Sequence, residues 1–148
     1  MKTTLDFEGG KDLEKAFQDL GAAASKRLAT RALKKVAEPI RDKAKQLAPK
    51  DQRDLEESID IGTRAVGSVS RPGPDEARVY VGIDESGNRR LHIYAEVQEL
   101  GSSKQPAQPY FRPAWNSEGP KVPERLGPLV WDDLERTAKR QAKKAAKG

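Results

Sequence analysis

Glu99-Leu-Gly-Ser-Ser-Lys-Gln-Pro-Ala-Gln-Pro-Tyr-Phe-Arg-Pro-Ala-Trp115 carries three of the chain's ten prolines and three of its eight aromatic residues. It has no helical or strand period. Pro106, Pro109 and Pro113 each fix φ, remove a backbone donor and restrict the residue before them. The stretch therefore reads as a stiff, extended arm that delivers Tyr110, Phe111 and Trp115 to a defined place. Two destinations stand. Either the arm folds onto its own domain with Phe111 and Trp115 filling core, or it reaches a neighbouring subunit, where Tyr, Trp and Arg are enriched at contact hot spots. A mixed arrangement puts Trp115 inward and Tyr110 outward.

Immediately upstream, Leu91 to Leu100 satisfies two periods at once. Leu91, Ile93, Ala95 and Val97 alternate as a strand would, whereas Ile93, Val97 and Leu100 have helical spacing. Gly101 stands where a helix C′ residue belongs, which favours a short helix over Tyr94 to Leu100. Further back, Ala77 to Ile83 alternates Val79, Val81 and Ile83 and is the clearest strand in the chain. Ser58 to Ile61 is a second strand. Val66 to Asp75, rich in Gly, Ser and Pro, is a loop, and Asp84 to Asn88 a turn.

The N-terminal half is helical. Leu13, Phe17 and Leu20 mark an amphipathic helix over Lys11 to Leu20, loosened by Gly21. Leu33, Val36, Ala37, Ile40, Ala44 and Leu47 form one apolar stripe, with Pro39 expected to kink or split the helix and Pro49 to end it. Leu5 and Phe7 before Gly9-Gly10 suggest a short strand and turn at the start. Beyond the arm, Asn116 to Pro120 reads as a loop. A last helix is expected from Pro128, with Leu129, Val130 and Leu134 as its contacts. Past Ala138 its apolar stripe shrinks to alanines, so that end projects or frays. The resulting expectation is an α+β domain over 1–138: a small antiparallel sheet packed by a long kinked helix and a C-terminal helix. Residues 139–148 form a basic end.

Composition narrows the function. With 35% apolar and 34% charged residues and a mean hydropathy of -0.84, a large self-contained core is disfavoured and assembly into an oligomer becomes attractive. The +5 net charge belongs to Lys139, Arg140, Lys143, Lys144 and Lys147; the rest balances at 23 basic against 23 acidic residues. No apolar run approaches the roughly 20 residues of a membrane span, and no signal-peptide core opens the chain, so a soluble protein without membrane contact is expected. There is no cysteine, which removes disulfides, thiol nucleophiles and cysteine metal sites together.

Other chemistry is thin. His92 is the only histidine, and nothing in its spacing supplies a triad or metal partner. The acid pairs Glu56-Glu57 and Asp84-Glu85 read as solvated turn and edge charges. Neither Gly9-Gly10 nor Gly119-Pro120 matches a phosphate loop. No catalytic, cofactor or metal residue is assigned, and no enzyme is expected. The basic end admits two readings: a solvated helix terminus complementing its macrodipole, or a sequence-independent contact with DNA through its clustered cations.

Ile93-Tyr-Ala-Glu-Val-Gln-Glu-Leu-Gly-Ser-Ser-Lys-Gln-Pro-Ala-Gln-Pro-Tyr-Phe-Arg-Pro-Ala114 resembles the signature segment of a siphophage tail-component family. In that family Tyr-Ala leads to Glu-Phe-Gly-Thr, then Pro-Ala-x-Pro-Phe and Arg-Pro-Ala. Its members are the small neck, head–tail joining and tail-completion proteins of lambda-like phages and prophages. The helix ending in Ala48-Pro49, Leu55-Glu-Glu-Ser-Ile59 and Tyr80-Val-Gly82 resemble further family elements, so the resemblance spans about 26–117. Gln52-Arg53 replaces the usual Thr-Gly, and Leu100 and Ser102 stand for Phe and Thr.

The resemblance implies a non-catalytic virion protein, made in the host cytoplasm. It would act as a ring at the head–tail junction beside portal or connector and tail proteins. The arm supplies the candidate contact residues Glu99, Ser102, Lys104, Gln108, Tyr110, Phe111 and Arg112. Lys139, Arg140, Lys143, Lys144 and Lys147 are the candidate DNA-facing residues, for packaged DNA in a ring lumen or, in the alternative reading, for a nucleic-acid-binding accessory protein.

Overall fold

The computed structural model describes residues 10–50, 53–64, 70–74, 76–84 and 88–147. Its elements are α1 (Gly10–Leu20), α2 (Ala22–Leu47), α3 (Arg53–Ser58), β1 (Ile59–Gly62), β2 (Tyr80–Ile83), α4 (Arg89–Leu100), α5 (Phe111–Glu118), a 3₁₀ turn (Gly119–Lys121) and α6 (Val122–Lys147). The α+β class holds, with long helices towards both ends and one small antiparallel sheet. The strand and turn expected before Gly10 lie outside the described residues.

Two compact units share the chain: 1–36 with 72–78 and 121–148, and 37–71 with 79–120. In the first, Leu28 and Ala32 of α2 are buried with Val130 and Leu134 of α6, and Ala16, Phe17, Leu20, Leu126 and Leu129 pack against them. Gly21 separates α1 from α2 at φ +91°, and Ser25 ties the junction by donating its hydroxyl to the Phe17 carbonyl at 2.7 Å. Arg31 donates from Nε and Nη2 to the two carboxylate oxygens of Asp133, each at 3.0 Å. Being exposed, this pair contributes at most about 1 kcal/mol.

The core of the second unit is Ala44, Ala48, Leu55, Ile59, Leu91, Ala95, Tyr110 and Ala114, with Val81, Ile83, Tyr94 and Phe111 packed on it. α2 is continuous through Pro39. Proline has no N–H to donate to the carbonyl of Lys35, four residues earlier, and the division between the units falls within that turn, at 36/37. The stripe of α2 finishes on Ala48, 3% exposed, rather than on Leu47, 40% exposed.

β1 and β2 are antiparallel, pairing Ile59 with Ile83, Asp60 with Gly82, Ile61 with Val81 and Gly62 with Tyr80. Asp84 N–H extends the ladder to the Ser58 carbonyl at 2.8 Å. The strand expected from Ala77 is thus shortened to Tyr80–Ile83, because β1 offers only four partners. Ser58, expected in a strand, instead closes α3 by donating to the Leu55 carbonyl at 2.8 Å.

Three expectations after residue 100 are corrected. The extended arm stops at Pro109: Phe111–Glu118 is helix, and Pro113 sits in its first turn, where an N–H has no intrahelical acceptor to lose. Residues 116–120 are helix and 3₁₀ turn rather than loop. α6 begins at Val122, so Pro123 is the first-turn proline and Pro128 lies inside the helix. Gly119 is required at the junction, since a Cβ there would lie 2.9 Å from the Trp115 indole.

Gly101 ends α4 with φ 79° and ψ 175°, a region essentially reserved for glycine. A Cβ on it would also stand 2.8 Å from the Ala107 nitrogen. Gly101→Ala is expected to cost about 1–3 kcal/mol, measured by chemical denaturation. Gly82→Ala, with nothing within 4 Å of the added methyl, should change stability by no more than about 0.5 kcal/mol.

Candidate functional site

The candidate site is the loop Ser102–Pro109, every residue of which is exposed. It leaves α4 at Gly101, whose N–H donates to the Val97 carbonyl at 2.7 Å. It turns on itself where Ser102 N–H meets the Gln105 carbonyl at 2.9 Å and Lys104 N–H meets Ser102 Oγ at 3.2 Å. It returns beside its own origin, Gln108 N–H donating to the Gln98 carbonyl at 2.7 Å. The arm is therefore a loop closed at its base, not a free extension.

The closure is completed by Glu99. Oε2 of its carboxylate accepts from the backbone N–H groups of Tyr110 at 2.8 Å and Phe111 at 2.9 Å. Oε1 accepts from Arg112 N–H at 2.9 Å. Pro113 has no N–H, and Ala114 donates to the Tyr110 carbonyl at 3.4 Å. Every donor in the opening turn of α5 is thus accounted for. Tyr110 makes no side-chain cap of its own; the acceptor arrives from the last turn of another helix, with a negative charge at the positive end of the α5 dipole.

The seven arm residues separate into two groups. Ser102, Lys104, Gln108 and Arg112 present exposed side chains. Glu99, Tyr110 and Phe111 are anchors. Tyr110, placed outward in the mixed arrangement, is 1% exposed, and Trp115, placed inward in both the mixed and the self-packed arrangements, is 37% exposed. The reversal follows from α5: Tyr110 precedes its first turn and faces the same core as Ala114, one turn on. The Tyr110 hydroxyl donates to the Ala95 carbonyl at 3.4 Å, and its ring lies 5.0 Å from that of Phe111 at 44°. Burial raises the Tyr110 phenol above its ordinary pKa, and the nearby Glu99 charge and then Tyr94 add to the rise.

The basic end is helical to Lys147. At about 100° per residue, Lys139, Arg140, Lys143, Lys144 and Lys147 fall on one face, and all five are exposed. His92 lines an open cleft on the two-stranded sheet with Asp60, Thr63, Arg64, Tyr80 and Asp84. Among the described residues, no group of three or more His, Cys, Asp or Glu side chains is placed to hold a metal ion. None of their helices is long and apolar enough to cross a membrane. The carboxylate clamp itself was missed from the sequence; an acid two residues before a helix-ending glycine was the available signal.

These features define a small α+β protein whose candidate site is a presented loop rather than a cleft of reacting groups. The family model described as "Bacteriophage HK97-gp10, putative tail-component" matches residues 11–101, more than half of the chain. The chain belongs to that phage tail-component family. No curated protein and no solved structure matches it.

Replacing the clamp should loosen α5 and the arm together. Glu99→Ala is expected to cost about 1–3 kcal/mol, since three donors lose their acceptor. Glu99→Gln should cost less, because one amide oxygen still accepts while the NH2 faces other donors. Both are read from denaturation midpoints. Tyr110 supplies a pH signature. Its folded-state pKa is raised, so its contribution is intact below the unfolded value of about 10 and falls as pH rises through it. Tyr110→Phe should remove that alkaline component, at a cost near neutrality of about 0.5–1.5 kcal/mol for the lost hydrogen bond.

Proposed function

We propose that this protein is a non-catalytic virion component that joins the phage head, at its portal or connector, to the tail. It works as a ring-forming neck, tail-terminator or tail-completion element. The observation that carries the reading is the closed loop 102–109: eight exposed residues held at both ends by α4 and α5, in a tail-component family. A loop fixed at its base loses little further entropy when a partner covers it, which favours a specific contact. Balanced charge outside the basic end lets like subunits approach closely. In this reading Ser102, Lys104, Gln108 and Arg112 meet the neighbouring virion protein, and the virion's head–tail junction is where the chain resides.

A second reading is favoured by the basic face of α6. Five cations on one side of a helix suit a phosphate backbone, either packaged DNA in the lumen of the ring or free nucleic acid bound by an accessory protein. Truncation after Ala138 separates the two. Under the joining role it leaves head–tail joining intact and weakens only DNA contact. Under the accessory role it abolishes function.

The test is complementation of a phage lacking this gene, scored by infectious titre and by micrographs of particles. Without the chain, separate heads and tails are expected. Lys104→Glu with Gln108→Ala should fail to restore joining while shifting stability by no more than about 0.5 kcal/mol. Full complementation by this variant, or normal particles without the chain, would sink the proposal.

A further inference from the structure

α4 is apolar on two opposite faces. Leu91, Ala95 and Gln98 are buried. Ile93 and Leu100 remain 52% and 61% exposed, with half-buried Val97 between them. At about 100° per residue Ile93, Val97 and Leu100 form one stripe on the side away from the core. Arg89 and Arg90, both exposed, stand one turn before Ile93. A helix apolar on both sides is suited to being covered on both sides, and among the described residues the core of the second unit takes up only the Leu91–Ala95 side.

The first unit presents a complementary surface. Ala16 and Leu20 of α1 and Leu134 and Ala138 of α6 line an open apolar groove, walled by Trp131, itself 37% exposed. Its charged lining is acidic, Asp19 and Glu135. Trp131 to Ala138 spans the same seven-residue repeat as Ile93 to Leu100, about 10 Å of helix in each case. A single helix laid between two others in this way is ordinary ridge-and-groove packing.

We propose that the Ile93–Val97–Leu100 stripe of one copy seats in the α1/α6 groove of a second copy, with Arg89 and Arg90 against Asp19 and Glu135. The inference rests on the assembly reading above and deepens it by naming the partner and both patches. The contact is heterologous, since stripe and groove are different surfaces. Each added copy therefore leaves one of each free until a ring closes. Exposed Glu96 also borders the stripe, so it is the Arg89–Arg90 end that sets direction against the acidic groove, and groove against groove would bring acid to acid.

The absence of cysteine makes the test clean. Full-length Leu100→Cys and Ala138→Cys variants, one bearing a removable mass tag, are mixed at submillimolar concentration with a short bis-maleimide. Circular dichroism checks that each is folded, and Ile93→Cys serves as a second reporter on the stripe. Crosslinked dimers are expected from the mixtures and not from either variant alone. Arg89→Glu with Arg90→Glu should cut the yield several-fold, and Asp19→Arg with Glu135→Arg in the partner should restore it. Crosslinking of Leu100→Cys to itself, or none in the mixtures, overturns the inference. If phage particles still carry the chain in that case, the joining role survives. Crosslinking in solution with no chain in particles would leave the contact standing and remove the joining role.

Discussion

The Glu99 carboxylate is the constraint on which the second half of the protein depends. α5 is only eight residues long and opens with Phe-Arg-Pro, so its own sequence offers neither a capping side chain nor the length to be stable alone. Two oxygens reaching from α4 satisfy three backbone donors, and proline removes the next. This lets Tyr110 enter the core with its backbone satisfied. Among the described residues Tyr110 is the largest fully buried side chain, and it joins α4, α5 and the end of α2 in one cluster. One charged group therefore fixes a helix terminus, a core residue and the returning end of the exposed loop.

Around that clamp the packing is economical in large side chains. Among the described residues Tyr110, Leu28, Leu55 and Ile59 are the largest fully buried ones, and much of the remaining core is alanine. Small residues bring helix backbones close together, so polar chain can still be organised around a narrow apolar seam. The same narrowness limits how much apolar surface either unit can cover. Ile93, Leu100 and Trp131 remain partly in water, and exposed apolar side chains of this size are the surface that the proposed assembly would cover.

Legibility in the sequence followed the range of the interactions. The stripe of α2 and the stop at Gly101 could be read because their causes are local: helical spacing, and a glycine at positive φ. The contacts Leu129, Val130 and Leu134 of α6 were legible for the same reason. α5 was not, because its cap lies 11 to 13 residues upstream; prolines that look like an extended arm are equally compatible with a first turn once an acceptor is supplied. The same first-turn preference applied to Pro123 as to Pro128, and periodicity alone could not choose between them. The double period of Leu91 to Leu100 has a physical origin too. Leu91 and Ala95 face the core while Ile93 and Val97 face away, so two helical faces together mimic the alternation of a strand.

The division between scaffold and presented surface has one more consequence for how the site is built. The family match ends at residue 101, at the glycine where the loop departs. Glu99 and Gln98, which hold the returning end of the loop, lie inside the match; Ser102, Lys104 and Gln108, which face solvent, lie beyond it. The rigidity of the loop is thus supplied by α4, whereas its chemistry is supplied by residues that carry almost no packing. Such an arrangement allows the side chains at the tip to be exchanged at little cost in stability, provided the carboxylate and the glycine remain. An interface that must fit a particular neighbour can then be retuned without rebuilding the fold that presents it.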